Sequence, residues 1–230
     1  MAQLPINNIV FLDIETVPLV YDYNQLNEPF KKLWDLKWQH HKEFTPEQQY
    51  SKAGIYAEFA KVVCICVGYF NGVEFRIKSF YGDDEKLLLQ DFKKMLEIHF
   101  SQHALCAHNG KEFDFPFMCR RMLVNGITLP DILQIAGKKP WEITHLDTME
   151  LWKFGDYKSY TSLQLLAAIF DIPTPKDDID GSMVAKVYYE ERNLERIKTY
   201  CAKDVVTVAR IFQKMRGEQA LRDNQIVLTN

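Results

Sequence analysis

The chain holds 230 residues, 47% of them hydrophobic and 13% aromatic, enough to bury a core within one large domain and too apolar for a disordered segment. With 28 basic against 31 acidic residues, the net charge of −3 offers no general basic face for gripping a duplex, so composition leaves the partner open. No apolar run reaches membrane-spanning length, and the apolar stretch 9–14 is broken by Asp13 with no cleavage site behind it, which predicts a cytoplasmic chain without a signal peptide.

In chain order, residues 8–15 read as a short apolar strand. Residues 19–60 are rich in aromatic, charged and amide side chains and too long for a bare loop, which predicts an ordered insertion. Residues 61–80 read as a hairpin, two β-prone runs around Asn71-Gly72. A helix follows over 83–100, its apolar face marked by Leu88, Phe92, Met95 and Leu96, then a short strand over 104–107.

The turn-prone His108-Asn109-Gly110 leads into a helix over 114–125, with Pro116 in its first turn and Gly126 as its stop. A strand over 143–146 precedes a helix opened by Asp147 and Glu150, and Thr161 with Gln164 predicts a second capping box. A Pro- and Asp-rich loop over 171–181 separates these from two last helices, 182–191 and 193–215, and a loosely ordered tail is expected over 218–230. Five cysteines form no C-x-x-C pair and sit among apolar neighbours, as small buried hydrophobes do. The element order predicts an α/β fold with a mixed central sheet, antiparallel at its start and parallel in its continuation, flanked by helices.

Carboxylates inside apolar patterns carry information, because an acid is seldom buried unless paired or holding a metal. Asp13 and Glu15 are two apart on a strand and share a face. Such a pair repels unless a cation neutralises it, and hard oxygen donors suit Mg2+ or Mn2+. Asp114 stands between phenylalanines where a helix begins, a position an N-cap also explains. Tyr200 and Asp204 are four apart on the last helix, flush with the apolar stripe of Ile197, Cys201, Val205, Val208 and Phe212. Together these supply four acids and a tyrosine, the ingredients of a two-metal phosphodiester site.

Three segments resemble a known family. Asp13-Ile14-Glu15-Thr16 resembles the first motif of the DEDD 3′–5′ exonucleases. Asn109-Gly110-Lys111-Glu112-Phe113-Asp114 resembles the second, as it appears in the proofreading domains of family B DNA polymerases. Tyr200-Cys201-Ala202-Lys203-Asp204 is similar to the third in its tyrosine form, Y-x-x-x-D. The likeness is closest to the stand-alone bacterial family related to that proofreading domain. It runs in order from about Ile6 to Met215 and implies a ribonuclease H-like fold over a single exonuclease domain, 1–230.

By this resemblance Asp13, Glu15 and Asp204 hold one divalent cation, Asp13 bridges to a second, and Asp114 supports the second. Tyr200 orients the water for in-line attack, and nucleoside 5′-monophosphates are released. Thr16 and Asn109 are the candidates for positioning the terminal nucleotide. Phe113 is a candidate for stacking on a base, with packing favoured. His108 and Asp147 read as structural, the latter as an N-cap. The implied partner is nucleic acid with single-stranded 3′ ends, DNA ahead of RNA or short oligonucleotides. A non-catalytic binding module ranks below the enzyme, since all five residues are present.

Overall fold

The computed structural model describes residues 4–41, 43–156, 160–173 and 179–229. A strand, β1 (Ile9–Pro18), opens the fold. The expected insertion follows. It contains helices α1 (Glu28–Trp38) and α2 (Pro46–Gln49) and a 3-10 segment over Tyr50–Ile55. These gather around Trp34, whose indole N–H donates to the Pro46 carbonyl at 2.7 Å. Trp38, Tyr50 and Phe59 complete this separate apolar cluster, so the insertion has a small core of its own.

The hairpin is β2 (Ala60–Asn71) and β3 (Glu74–Tyr81). Asn71 pairs with Glu74, so the two loop residues are Gly72 and Val73, one position later than the sequence suggests. The reason is local. Only Gly72 takes a left-handed φ, 63°, and a turn with glycine at its first central position puts the positive φ there.

Next come α3 (Glu85–His99), β4 (Ala104–Ala107), α4 (Asp114–Val124), β5 (Leu146–Asp147), α5 (Thr148–Lys153) and α6 (Leu163–Ile169). The cap of α6 is Ser162, whose side chain accepts from Leu165 N–H, in place of the expected Thr161. The loop expected over 171–181 lies partly outside the described residues. A short α7 (Val184–Lys186) runs into a π-helical turn over Val187–Glu191 that ends at Arg192 with φ 51°, so the expected helix 182–191 is broken up. The long α8 (Leu194–Met215) follows, capped by Asn193.

The tail is a correction. Ile226–Thr229 forms a strand, β6, parallel to β3, because β3 otherwise leaves an edge of unpaired backbone groups. Buried Leu221 and the Arg210–Asp223 ion pair fasten the approach to it.

The sheet order is β5-β4-β1-β2-β3-β6. β1, β2 and β3 are antiparallel in turn, whereas β4 and β5 continue parallel to β1. The antiparallel start and parallel continuation are therefore present, with helices on both faces.

Strand β1 is central, and its parity divides the core. Val10, Leu12 and Ile14 face α3 and α4, whereas Ile9, Phe11 and Val17 face α8. Asp13 and Glu15 share the parity of the second set and so belong to the α8 face. α8 lies close to the sheet because Gly68 on β2 has no side chain. A Cβ there would stand 2.3 Å from the Phe75 ring and 2.7 Å from Val205.

Candidate active site

The five residues singled out on charge and pattern converge at the end of β1. Asp13 and Glu15 occupy successive positions of one face, opposite Cys66 and Cys64 of β2. The ladder slips after Glu15, pairing Thr16 with Val62 and skipping Val63. Such a bulge bends a strand where a site re-aims its side chains.

From α8, Asp204 lies close enough to Asp13 and Glu15 to repel both, and Tyr200 donates its phenolic hydrogen to Asp204. Asp114 arrives from the other side of the sheet. It is the first residue of α4, and its Oδ1 accepts Ile14 N–H of β1 at 3.2 Å. It is therefore not a cap: Phe113 holds the N-cap position of α4 with no side-chain capping bond. Gly110 lets the turn before it close, since a Cβ there would stand 2.4 Å from that of Ala107.

The electrostatics follow from the crowding. Burial, then Glu15, Asp204 and Asp114, push the Asp13 carboxyl well above the usual carboxylate range. Burial and Asp204 do the same to Glu15, which is only 7% exposed. Burial and the charge of Asp147 raise Asp114 to about 7, against the hydrogen bonds it accepts. Burial with Asp204, Glu15 and Asp13 drives the Tyr200 phenol far above its ordinary value, so it stays a neutral donor.

Asp13 Oδ2 is buried and has no hydrogen-bond partner among the described residues. An orphaned carboxylate oxygen among three further acids is what a hard divalent cation accommodates. The donor set, carboxylate oxygen throughout, fits Mg2+ or Mn2+.

Of the substrate-contact candidates, Asn109 sits beside the cluster in a left-handed conformation, φ 64°, with its Nδ2 donating to Tyr160 Oη at 3.2 Å. Its Oδ1 is buried with no partner among the described residues. The Thr16 hydroxyl donates to the Gly54 carbonyl at 2.7 Å, tying β1 to the insertion and leaving only its lone pairs for another group. Phe113 packs on Phe117, ring centroids 5.3 Å apart, against the core. His108 is structural in its contacts, Nδ1 with Thr148 Oγ1 and Nε2 with the Thr161 carbonyl, both 2.9 Å.

Two features escaped the sequence. Asp147 caps α5 through Met149 and Glu150 N–H, as expected, and also receives Asn109 N–H at 2.9 Å and Lys111 N–H at 3.1 Å. It thereby anchors the turn that delivers Asp114, across a gap of more than thirty residues that no local pattern reveals. Tyr160, 70% exposed, stands beside Asn109 and feels the charges of Glu112, Asp147 and Asp114. Its only sequence signal was being an aromatic in a polar loop.

Among the described residues, no helix is long and apolar enough to cross a membrane. No curated protein matches the chain. Its fold is similar to that of the family B DNA polymerase from the hyperthermophilic archaeon Pyrobaculum calidifontis, with a TM-score of 0.52 at 14% identity over 93% of this chain. The match takes up 26% of that polymerase, so the likeness covers one portion of a larger protein. A family model described as a predicted 3′–5′ exonuclease related to the exonuclease domain of PolB matches residues 55–225, which take in the second and third motifs, β2 to the start of the tail and the whole of α8. The chain belongs to this family of predicted 3′–5′ exonucleases related to the PolB exonuclease domain.

Proposed function

We propose that the chain is a divalent-cation-dependent 3′–5′ exonuclease that removes nucleotides from single-stranded DNA ends and releases nucleoside 5′-monophosphates. The observation that supports this most is the meeting of Asp13, Glu15, Asp114 and Asp204 from a strand and two helices, with Tyr200 bonded to Asp204. Four mutually repelling acids, Glu15 and Asp114 buried and Asp13 and Asp204 half-buried, cost stability, and bound cations would offset that cost. Family membership supports the direction of attack, and its relation to a DNA polymerase domain supports the sugar.

In this reading Asp13, Glu15 and Asp204 would hold one cation, and Asp13 and Asp114 would be the carboxylates available to a second. Mg2+ or Mn2+ bound there would supply Lewis-acid stabilisation of the charge that builds on the phosphate and on the departing 3′-oxygen. The protein does the rest by placement. Tyr200, too hard to ionise to act as a base, uses its hydroxyl to orient the attacking water against Asp204. Asn109, whose buried Oδ1 has no partner among the described residues, is the candidate acceptor for a terminal sugar hydroxyl, Thr16 can only accept, and Phe113 packs rather than stacks.

The test is a time course on 5′-labelled single-stranded DNA and RNA of one sequence, with Mg2+, Mn2+ or chelator, beside Asp13→Ala. The expected result is a ladder shortening from the 3′ end, faster on DNA, that requires metal and vanishes in the variant. Intact substrate under every metal condition, with the protein folded, would overturn the proposal. A ladder on RNA alone would reassign the substrate.

A further inference from the structure

Behind the carboxylates, on the same face of the sheet, lie three thiols that the acid cluster does not explain. Cys64 and Cys66 are the cross-strand neighbours of Glu15 and Asp13, and Cys201 points in from α8. Cys64 Sγ and Cys66 Sγ are 3.7 Å apart, and Cys201 contacts both. All three sulfurs fall within 4.8 Å of one another, and all three residues are buried. Sulfurs bound at about 2.3 Å to one tetrahedral ion stand roughly 3.8 Å apart. Cys64 and Cys66 are thus spaced as two ligands of such a site, with the Cys201 sulfur within 4.8 Å of both. Cys201 belongs to two groups at once, since its Sγ also lies within 4.8 Å of carboxylate oxygens of Asp13 and Glu15.

We propose that Cys64, Cys66 and Cys201 form a second site for a thiophilic divalent ion, Zn2+ or Cd2+, which recruits the Glu15 carboxylate, the cross-strand neighbour of Cys64, as its fourth ligand by turning that side chain away from the acids. Soft sulfur donors select such ions over Mg2+ and Mn2+, which prefer oxygen. Binding releases the three thiol protons to solvent, so the ion is held by three thiolates and a carboxylate. Occupation draws Glu15 out of the acid cluster, and the site acts as an inhibitory one.

The binding half of this inference stands on the geometry alone; the inhibition half rests on the exonuclease reading. The test is titration of the chelator-treated full chain with Cd2+ and Co2+, followed by sulfur-to-metal charge-transfer absorption. The expected result is a band that saturates at one equivalent. It persists in Asp13→Asn and Cys119→Ser, weakens in Cys64→Ser and in Cys66→Ser, and is lost in the Cys64→Ser/Cys66→Ser double variant. Circular dichroism establishes that the variants are folded. No band in the wild type, or an undiminished band in the folded double variant, would overturn the site.

In the second arm, Zn2+ is expected to suppress Mg2+-supported nucleotide release in the wild type and to do so far less in the double variant. Equal suppression in both would overturn the role given to Glu15. Absence of any Mg2+-supported turnover, with the charge-transfer band present, would instead count against the exonuclease reading and leave the thiolate site standing.

Discussion

Burial, with the charge of Asp147, makes the ionised form of Asp114 costly in the folded chain. Its folded value of about 7 lies above its ordinary 3.8, so the folded chain holds this proton more tightly than the unfolded chain does. The stability that the protonated form contributes is complete below the ordinary value and is lost as pH rises through about 7. Asp114→Asn keeps an oxygen for Ile14 N–H and has no charge to bury. In chelator at about pH 8 it is expected to raise Tm by roughly 2–4 °C for each kcal/mol of relieved penalty, and by much less at about pH 5. Thermal denaturation across that range checks this, and a variant less stable than wild type at the higher pH would contradict it. Tyr200→Phe is the complementary change. It removes one hydroxyl from a half-buried ring, so Tm should stay nearly constant while kcat falls about 100-fold through loss of water orientation. Single-turnover rates test this, and a change in KM alone would assign Tyr200 to substrate binding.

At the scale of elements, the position of α4 decides where Asp114 sits, and a buried ion pair fixes it. Arg121 on α4 contacts Glu85 at the start of α3 through Nη2–Oε2 at 2.6 Å and Nε–Oε1 at 2.9 Å. Glu85 also accepts Val62 N–H at 2.8 Å, and Arg121 Nη1 donates to the Ala57 carbonyl at 2.9 Å, so two helices, β2 and the end of the insertion are tied at one point. Breaking such a pair by removing one partner leaves an uncompensated buried charge. Glu85→Ala should therefore cost about 3–5 kcal/mol, whereas Glu85→Leu with Arg121→Met should recover most of it. Chemical denaturation of the three variants measures both effects, and a double variant as unstable as the single one would refute the explanation. None of this pair was legible in the sequence. Glu85 and Arg121 look like ordinary surface charges of two amphipathic helices until the packing puts their heads together.

At the scale of the molecule, the tail supplies the edge strand that covers β3. β6 pairs with β3 from Phe75 to Lys78, Leu221 is 4% exposed, and Arg210 reaches both the Leu221 carbonyl and Asp223. Ending the chain at Gly217 would bare that edge and uncover Ile226's contacts with the α8 face. The shortened chain is expected to unfold at lower denaturant and to self-associate, while its acid cluster stays assembled. Sedimentation and denaturation of the two lengths check this, and equal midpoints would show the tail to be dispensable.

What the sequence determined by itself was local. Alternation placed Asp13 and Glu15 on one face, helical spacing set Tyr200 over Asp204, and glycine and proline punctuated the strands and helices. Charge inside an apolar pattern marked each acid as unusual, because burying a carboxylate is costly in any fold. These signals need only the neighbouring residues, so they survive without coordinates. The tertiary structure alone decided the rest. It brought Asp114 to the backbone of β1, put Asp147 under the turn before it, committed the Thr16 hydroxyl to Gly54, and set three thiols beneath the acids. It also shifted the hairpin turn and the α6 cap by a residue each, and turned the expected loose tail into an edge strand. Apart from the turn and the cap, whose causes are local, each of these depends on partners tens of residues away, where the pairing of backbone groups and the filling of space choose among options that local propensity leaves nearly equal.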